Sequence, residues 1–423
     1  MRSSSRRRPG RAIGLGSLLI ALLGACGGSS GSSNLSQPVT FAVMTALSGP
    51  FAGNGAPIYE GVKAGVQEIN DNGGILGQKV TLDSGDTLSD PGDAVPALNK
   101  ELAVGHPNAL LGFASSDIHA VEPIYDRAQI VDGWQGGSSA FDNQTDPWLW
   151  RCQASDGQLG IAMAVLANQK GYQTADIFIS SEATSATLPP VIQKAFEALG
   201  GKILNTVLFT PAQTSYRSEV QKVINDHPAV IFTQMDANDG AVAFANFQEL
   251  NNLAIPFIGT DQTASPLFYK AIGPAVAKAH LTSVQGSNAL TASGATLAQY
   301  YQEANGHAPL PSSAGAYDCT IIFALAITKA GSADPKVWVK SITSITNNES
   351  GTEVGDYKTA VADIKAGTAI DYEGASGPMD FNQYHNVSGA WDVAVANGNA
   401  AGDQTIASTI TAVAIQAVVA KEG

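Results

Sequence analysis

Short runs of strand character alternate with longer runs of helical character along most of this chain, and that alternation restricts the fold more than any other feature. Strand-like runs at 39–45, 79–83 and 109–112 are separated by helix-like runs at 57–70, 91–104 and 121–129. The pattern restarts after Arg151, with helices predicted at 157–170, 189–199, 215–225 and 241–251. Strands are predicted between them at 174–180, 203–209, 229–234 and 255–259. A long helix at 317–329 and a hairpin-like tail from Ala390 complete the reading. Strands separated by helices build parallel sheets covered on both faces. The expected fold class is therefore α/β, with two doubly wound, Rossmann-like domains of ordinary size. Such sheets bind ligands at the carboxyl ends of their strands, here in a cleft between the domains.

The first 25 residues are expected to lie outside that fold. Five arginines, Arg2, Arg6, Arg7, Arg8 and Arg11, precede an uncharged apolar stretch of 14 residues, Ala12 to Ala25. That length suits a signal-peptide core better than a membrane span. The stretch ends in Leu23-Gly24-Ala25-Cys26, which resembles a bacterial lipobox and implies cleavage before Cys26 and lipidation of its sulfur. Residues 26–37 read as the lipidated cysteine and a Gly/Ser tether. A literal G-x-S-x-G at 27–31 follows no strand and is not a nucleophile elbow.

Charge and cysteine content narrow the function classes. The whole chain carries −14, and loss of the five leader arginines leaves −19. So acidic a protein repels phosphates, which argues against nucleic-acid partners. Cys152 and Cys319 are the two cysteines beyond Cys26, and in an oxidising compartment they either pair or remain two buried thiols. The six histidines are scattered, and no H-E-x-x-H or C-x-x-C appears, so the reading is not an enzyme and calls for no cofactor or metal.

A glycine-rich loop links the first strand to the first helix, the order used by many nucleotide sites. Gly53-Asn54-Gly55-Ala56-Pro57-Ile58 has isoleucine where the third glycine of G-x-G-x-x-G belongs, and no P-loop lysine follows. Its glycines read as turn geometry, with Pro57 starting the helix. Taken with Leu47 to Gly55, Glu60 to Gly65 and Ile69 to Gly77, the loop resembles the branched-chain amino acid binding proteins of ABC importers. Further matching segments follow in order: Asp83 to Pro91, Leu110 to Asp117, Phe257 to Gln262, Ala316 to Asp318, and Gly377 to Asn382.

The resemblance implies a type I periplasmic-binding-protein-like fold with a three-crossing hinge. It places 38–151 plus 284–389 in an N-terminal lobe and 152–283 plus 390–423 in a C-terminal lobe. It implies capture of an amino acid or similar small polar solute, delivery to an ABC permease, and a monomer anchored to the membrane by the lipid on Cys26. A ligand sensor on the same fold is the alternative. Ser115 and Ser116, at a helix start, are expected to hold the ligand carboxylate, or simply to cap that helix. Ser138 and Ser139 are expected to add polar contacts, or to form a plain turn. Asp261 takes the place of the acidic residue facing the ligand ammonium; the bland alternative is a turn residue. Asn54 stands where relatives often have an aromatic ring, while Thr184 and Asp236 occupy loops where tyrosines are usual. With Glu182 and Asp239 nearby, the second-lobe wall is more polar and acidic than an aliphatic ligand needs. Tyr317 lines the cleft or packs in the core. A Cys152–Cys319 bridge would tie the hinge region together.

Overall fold

The computed structural model describes residues 38–49, 52–182, 185–251, 253–287, 291–310 and 312–422. The expected leader, tether and lipidated Cys26, together with Thr184, lie outside the described residues. The chain first builds β1 (Val39–Thr45), α1 (Ala52–Asp71), β2 (Val80–Asp86), α2 (Pro91–Val104) and β3 (Ala109–Leu111). It continues with α3 (Ser115–Ala128), β4 (Asp132–Trp134) and β5 (Leu149–Arg151). These five strands form a parallel sheet in the order β2-β1-β3-β4-β5. Strand alternation divides the side chains of β1 between two cores. Phe41 and Val43 pack against α1 residues such as Val62, while Ala42 and Met44 pack against α2 and α3 residues such as Leu98 and Val121.

The second unit begins with α4 (Asp156–Gln169), β6 (Thr174–Ser180), α5 (Leu188–Ala198), β7 (Lys202–Phe209) and α6 (Arg217–Asp226). It continues with β8 (Val230–Gln234), α7 (Ala237–Glu249), β9 (Phe257–Gly259), α8 (Pro266–Ile272), α9 (Pro274–His280) and β10 (Leu281–Gly286). The chain then returns to the first unit through α10 (Ala292–Asn305), α11 (Ser313–Ala330), α12 (Pro335–Trp338) and α13 (Thr343–Thr346). A small sheet follows, of β11 (Thr352–Val354), β12 (Ile370–Gly374) and β13 (Gly377–Pro378), with α14 (Tyr357–Ala366) between its first two strands. Finally β14 (Trp391–Ala396) and β15 (Gln404–Ile410) join the second sheet, and α15 (Ala412–Glu422) packs against α4 and α5. That sheet has the order β15-β14-β10-β9-β8-β6-β7, antiparallel only where β14 joins β10 and β15 joins β14. It too is covered on both faces: Ile177 and Ile179 of β6 point into one core and Phe178 into the other.

The fold is thus α/β, with two doubly wound units joined by three crossings, near residues 152–155, between β10 and α10, and near residues 387–390. Several elements differ from the sequence reading. Helix α1 starts at Ala52, with Pro57 inside it rather than at its head. Helix α3 starts at Ser115 rather than at 121, so Ser115 and Ser116 belong to its first turn. The tail pairs as a hairpin but ends in a helix that the reading lacked.

Glycine at position 55 has a packing reason. A Cβ there would lie 1.9 Å from the Ala46 carbonyl oxygen, so α1 can sit on the end of β1 only without a side chain at this point. A Cβ at Gly53 would meet nothing within 4 Å. Gly55→Ala is expected to destabilise the protein by about 1–3 kcal/mol through overpacking. Gly53→Ala should leave stability unchanged or raise it by up to about 1 kcal/mol. Urea denaturation of both variants checks the contrast.

Candidate functional site

The loops after β3 and β4 lie against each other. The Ser138 N–H donates to Ser115 Oγ at 3.1 Å, and the Ser116 hydroxyl donates to the Ser89 carbonyl at 3.1 Å. Ser138 Oγ accepts from the Ala140 N–H, which caps the short 3-10 turn Ser139–Phe141. The glycines preceding these serines make the approach possible. A Cβ on Gly136 would fall 2.3 Å from Ser115 Oγ, and one on Gly137 would fall 2.2 Å from Asp156 Oδ1. Asp156 opens α4 in the second unit, and its N–H donates to the Gly137 carbonyl at 2.7 Å. The serine loop and the first turn of α4 therefore meet across the two units.

Beside them, a pocket open to solvent is walled by all three crossings. Asp156 and Leu159 reach it from α4 and Asp261 from the end of β9, while Ser312, Ala314 and Gly315 line it at the start of α11. Asp261 begins a 3-10 turn and accepts the Gln262 N–H at 3.0 Å. Burial raises the pKa of Asp261 above the usual carboxylate range. Asp156 is pushed up to about 7, first by burial and then by the charge of Asp261, with Arg151 opposing. Two carboxyl groups thus converge on one pocket, and a positive charge between them would relieve both.

Arg151 relieves Asp156 only in part, and its guanidinium is engaged elsewhere. It is fully buried, paired with Asp142 at 2.7 Å, donating to the Ser138 carbonyl at 3.0 Å and lying 4.4 Å over the Trp134 ring. Asp142 also accepts the Ser155 hydroxyl at 2.9 Å, so this network fastens the first crossing to the serine loop. Cys152 and Cys319 are joined by a disulfide, which ties the same crossing to α11.

Of the residues singled out from sequence, Asp261 lines the pocket; Ser115, Ser116, Ser138 and Ser139 lie in the interlocked loops beside it. Asn54 is exposed at the start of α1. Asp236 is exposed at the end of β8, where its carboxylate accepts the Asp239 N–H at 2.7 Å and caps α7. Asp239 is buried and holds the Tyr216 hydroxyl. Of the two alternatives for Tyr317, the structure has core packing: it is 0 % exposed, and its hydroxyl donates to Glu68 inside the first unit. Asp156 was missed. Its signal was present in Ser155-Asp156-Gly157, a capping serine and an acid opening the helix just after the first crossing.

The chain belongs to the periplasmic binding protein family, whose model matches residues 38–403. It is 34% identical over 84 residues to a Leu/Ile/Val-binding protein homolog of Brucella abortus (strain 2308), an alignment covering 18% of this chain and 23% of that protein. The chain thus matches about a quarter of the length of that curated relative. A longer alignment, 25% identical over 365 residues, relates it to the chemotactic signal transduction system substrate-binding protein BasB of Halobacterium salinarum, covering 81% and 83% of the two chains. Among solved structures it resembles the leucine-binding protein LivK of Thermotoga maritima with a TM-score of 0.71 at 19% identity, covering 88% and 99%. Among the described residues, no helix is long and apolar enough to cross a membrane.

Two measurements follow from this geometry. Denatured, unreduced protein should show no reactive thiol from Cys152 or Cys319, and both should appear after reduction. Asp156, Glu68 and Asp176 each have a pKa raised to about 7. A carboxyl that holds its proton longer folded than unfolded contributes stability at acidic pH and loses it as pH rises through the folded pKa. The ligand-free protein should therefore melt at a higher temperature near pH ~5 than near pH ~8. Asp156→Asn should exceed the wild type in melting temperature near pH ~8, with the difference vanishing near pH ~4.

Proposed function

We propose that this protein is the extracytoplasmic solute-binding lipoprotein of an ABC importer, anchored by a lipid on Cys26. It captures an amino acid or a related small solute carrying a cationic group and delivers it to a membrane permease. The observation that carries this reading is the pocket between the two units, where Asp156 and Asp261 converge without a basic side chain among the described lining residues. A ligand that contacts both units favours their closed arrangement, and the closed form is what a permease would recognise. The leader arginines, the apolar stretch and Leu23 to Cys26 support export and lipidation. The reading is of a binding protein rather than an enzyme, acting as a monomer.

Signalling is the second reading, favoured by the 81% span of the likeness to a chemotactic substrate-binding protein. The two roles share the same solute capture and differ in the partner that reads the closed form.

The test is a thermal-shift screen of the mature domain, unfolded and refolded to strip bound solute, against amino acids, amines, amides and polyols. A bound solute at 100 times its Kd should add about 2.7 kcal/mol of stability. Asp261→Ala should abolish the shift produced by any cationic hit. A shift that persists undiminished in Asp261→Ala would remove the role assigned to that carboxylate.

A further inference from the structure

We infer that the solute is an organic amine, a compact apolar body bearing an ammonium group and no carboxylate, rather than an α-amino acid. This narrows the solute-binding reading above and rests on it.

The first ground is charge. Asp156 and Asp261 are the only charged side chains among the described residues lining the pocket. The nearest buried cation, Arg151, is already engaged by Asp142 and the Ser138 carbonyl. The starts of α4 and α11 also face the pocket, but a helix N-terminus carries only about half a positive charge. No lining side chain among the described residues supplies a full positive charge. An amino acid would bring a third carboxylate into the pocket, and burying an anion without a cationic partner is costly.

The second ground is the state of the serine loops. The resemblance assigned the ligand carboxylate to Ser115, Ser116 and the 138–139 loop. In the structure the Ser138 N–H is given to Ser115 Oγ and the Ser116 hydroxyl to the Ser89 carbonyl, and none of the four serines lines the pocket. The Trp391 Nε1–H lacks a protein partner and belongs to a pocket-lining residue. Gln153, Ser287, Ser312, Ser376 and Ser388 also line the pocket, and these neutral groups suit hydroxyl or carbonyl oxygens but do not offset the charge of a carboxylate among two others.

The third ground is the wall. Leu159, Ala314, Pro378, Val387 and Trp391 give the pocket an apolar surface beside the two acids. An ammonium group at the carboxylates and an apolar body along these side chains make one consistent occupant.

The test is isothermal titration of the stripped, refolded mature protein with matched pairs: 3-methylbutylamine against leucine, phenethylamine against phenylalanine, and 3-methylbutanol as the uncharged control. The expected result is that at least one amine binds ten-fold or more tighter than its amino acid, with no measurable binding of the alcohol. Asp156→Asn and Asp261→Asn should each weaken that amine at least ten-fold. Affinity for the amine should rise with pH towards ~7, because binding of a cation expels the proton that Asp156 holds. An amino acid binding as tightly as its amine overturns this inference and leaves the solute-binding reading standing. Equal binding of amine and alcohol overturns it as well. Failure of all amines in correctly refolded protein also overturns it, and failure of every solute in the wider screen brings down the solute-binding reading too.

Discussion

The arrangement of the two units depends on how the first crossing is fastened. Arg151, at the end of β5, is buried with its guanidinium on Asp142, on the Ser138 carbonyl and over Trp134. One residue later Cys152 is bonded to α11. Leaving that arginine without its partner would strand a buried charge, a loss of about 3–5 kcal/mol in comparable cases. The third crossing hangs on the first: the Arg151 N–H donates to the His385 carbonyl, and the Asn386 side chain donates to the Asp142 carbonyl. From the other side Gln158 of α4 donates to the Val387 carbonyl and accepts the Gly389 N–H. The crossings are thus gripped by both units within a few residues, and any closing motion is confined to short stretches of backbone.

The site is electrostatically unfinished by comparison with the core. Asp318 is buried, yet its oxygens accept from Ala375, Ser376 and Tyr372. Glu68 is similarly held by Tyr317 and Tyr357. Asp156 and Asp261 have fewer such donors and share a pocket with each other. Buried acids furnished with donors serve the fold, whereas acids left facing each other beside a cavity mark a place where a partner is expected from outside.

Much of the fold was legible because long elements carry their period. Helices at 91–104 and 157–170 and strands at 39–45 and 174–180 were readable to within a residue or two. Three-residue strands such as β4 and β5 leave no period to read, and β10, LTSVQG, hides a buried strand behind polar letters. Ser283 in that strand is buried because it bonds Thr263, a tertiary fact that no local pattern carries. In the site, Asp261 stood out through the resemblance, whereas Asp156 looked like ordinary helix-start chemistry. What gives it weight is its approach to Gly137 and Asp261 from another part of the chain.

The disulfide also has a topological consequence. Its two cysteines are 167 residues apart in sequence, and that covalent ring contains β6 to β10, every parallel strand of the second sheet. Strands β14 and β15 come from outside the ring and dock onto β10 as its last two members. A chain ending before Trp391 would close its ring yet present β10 as a bare, sticky margin. Strands β14 and β15 are therefore the seal of the second sheet, synthesised after the ring whose edge they cover and needed before that edge is safe from self-association.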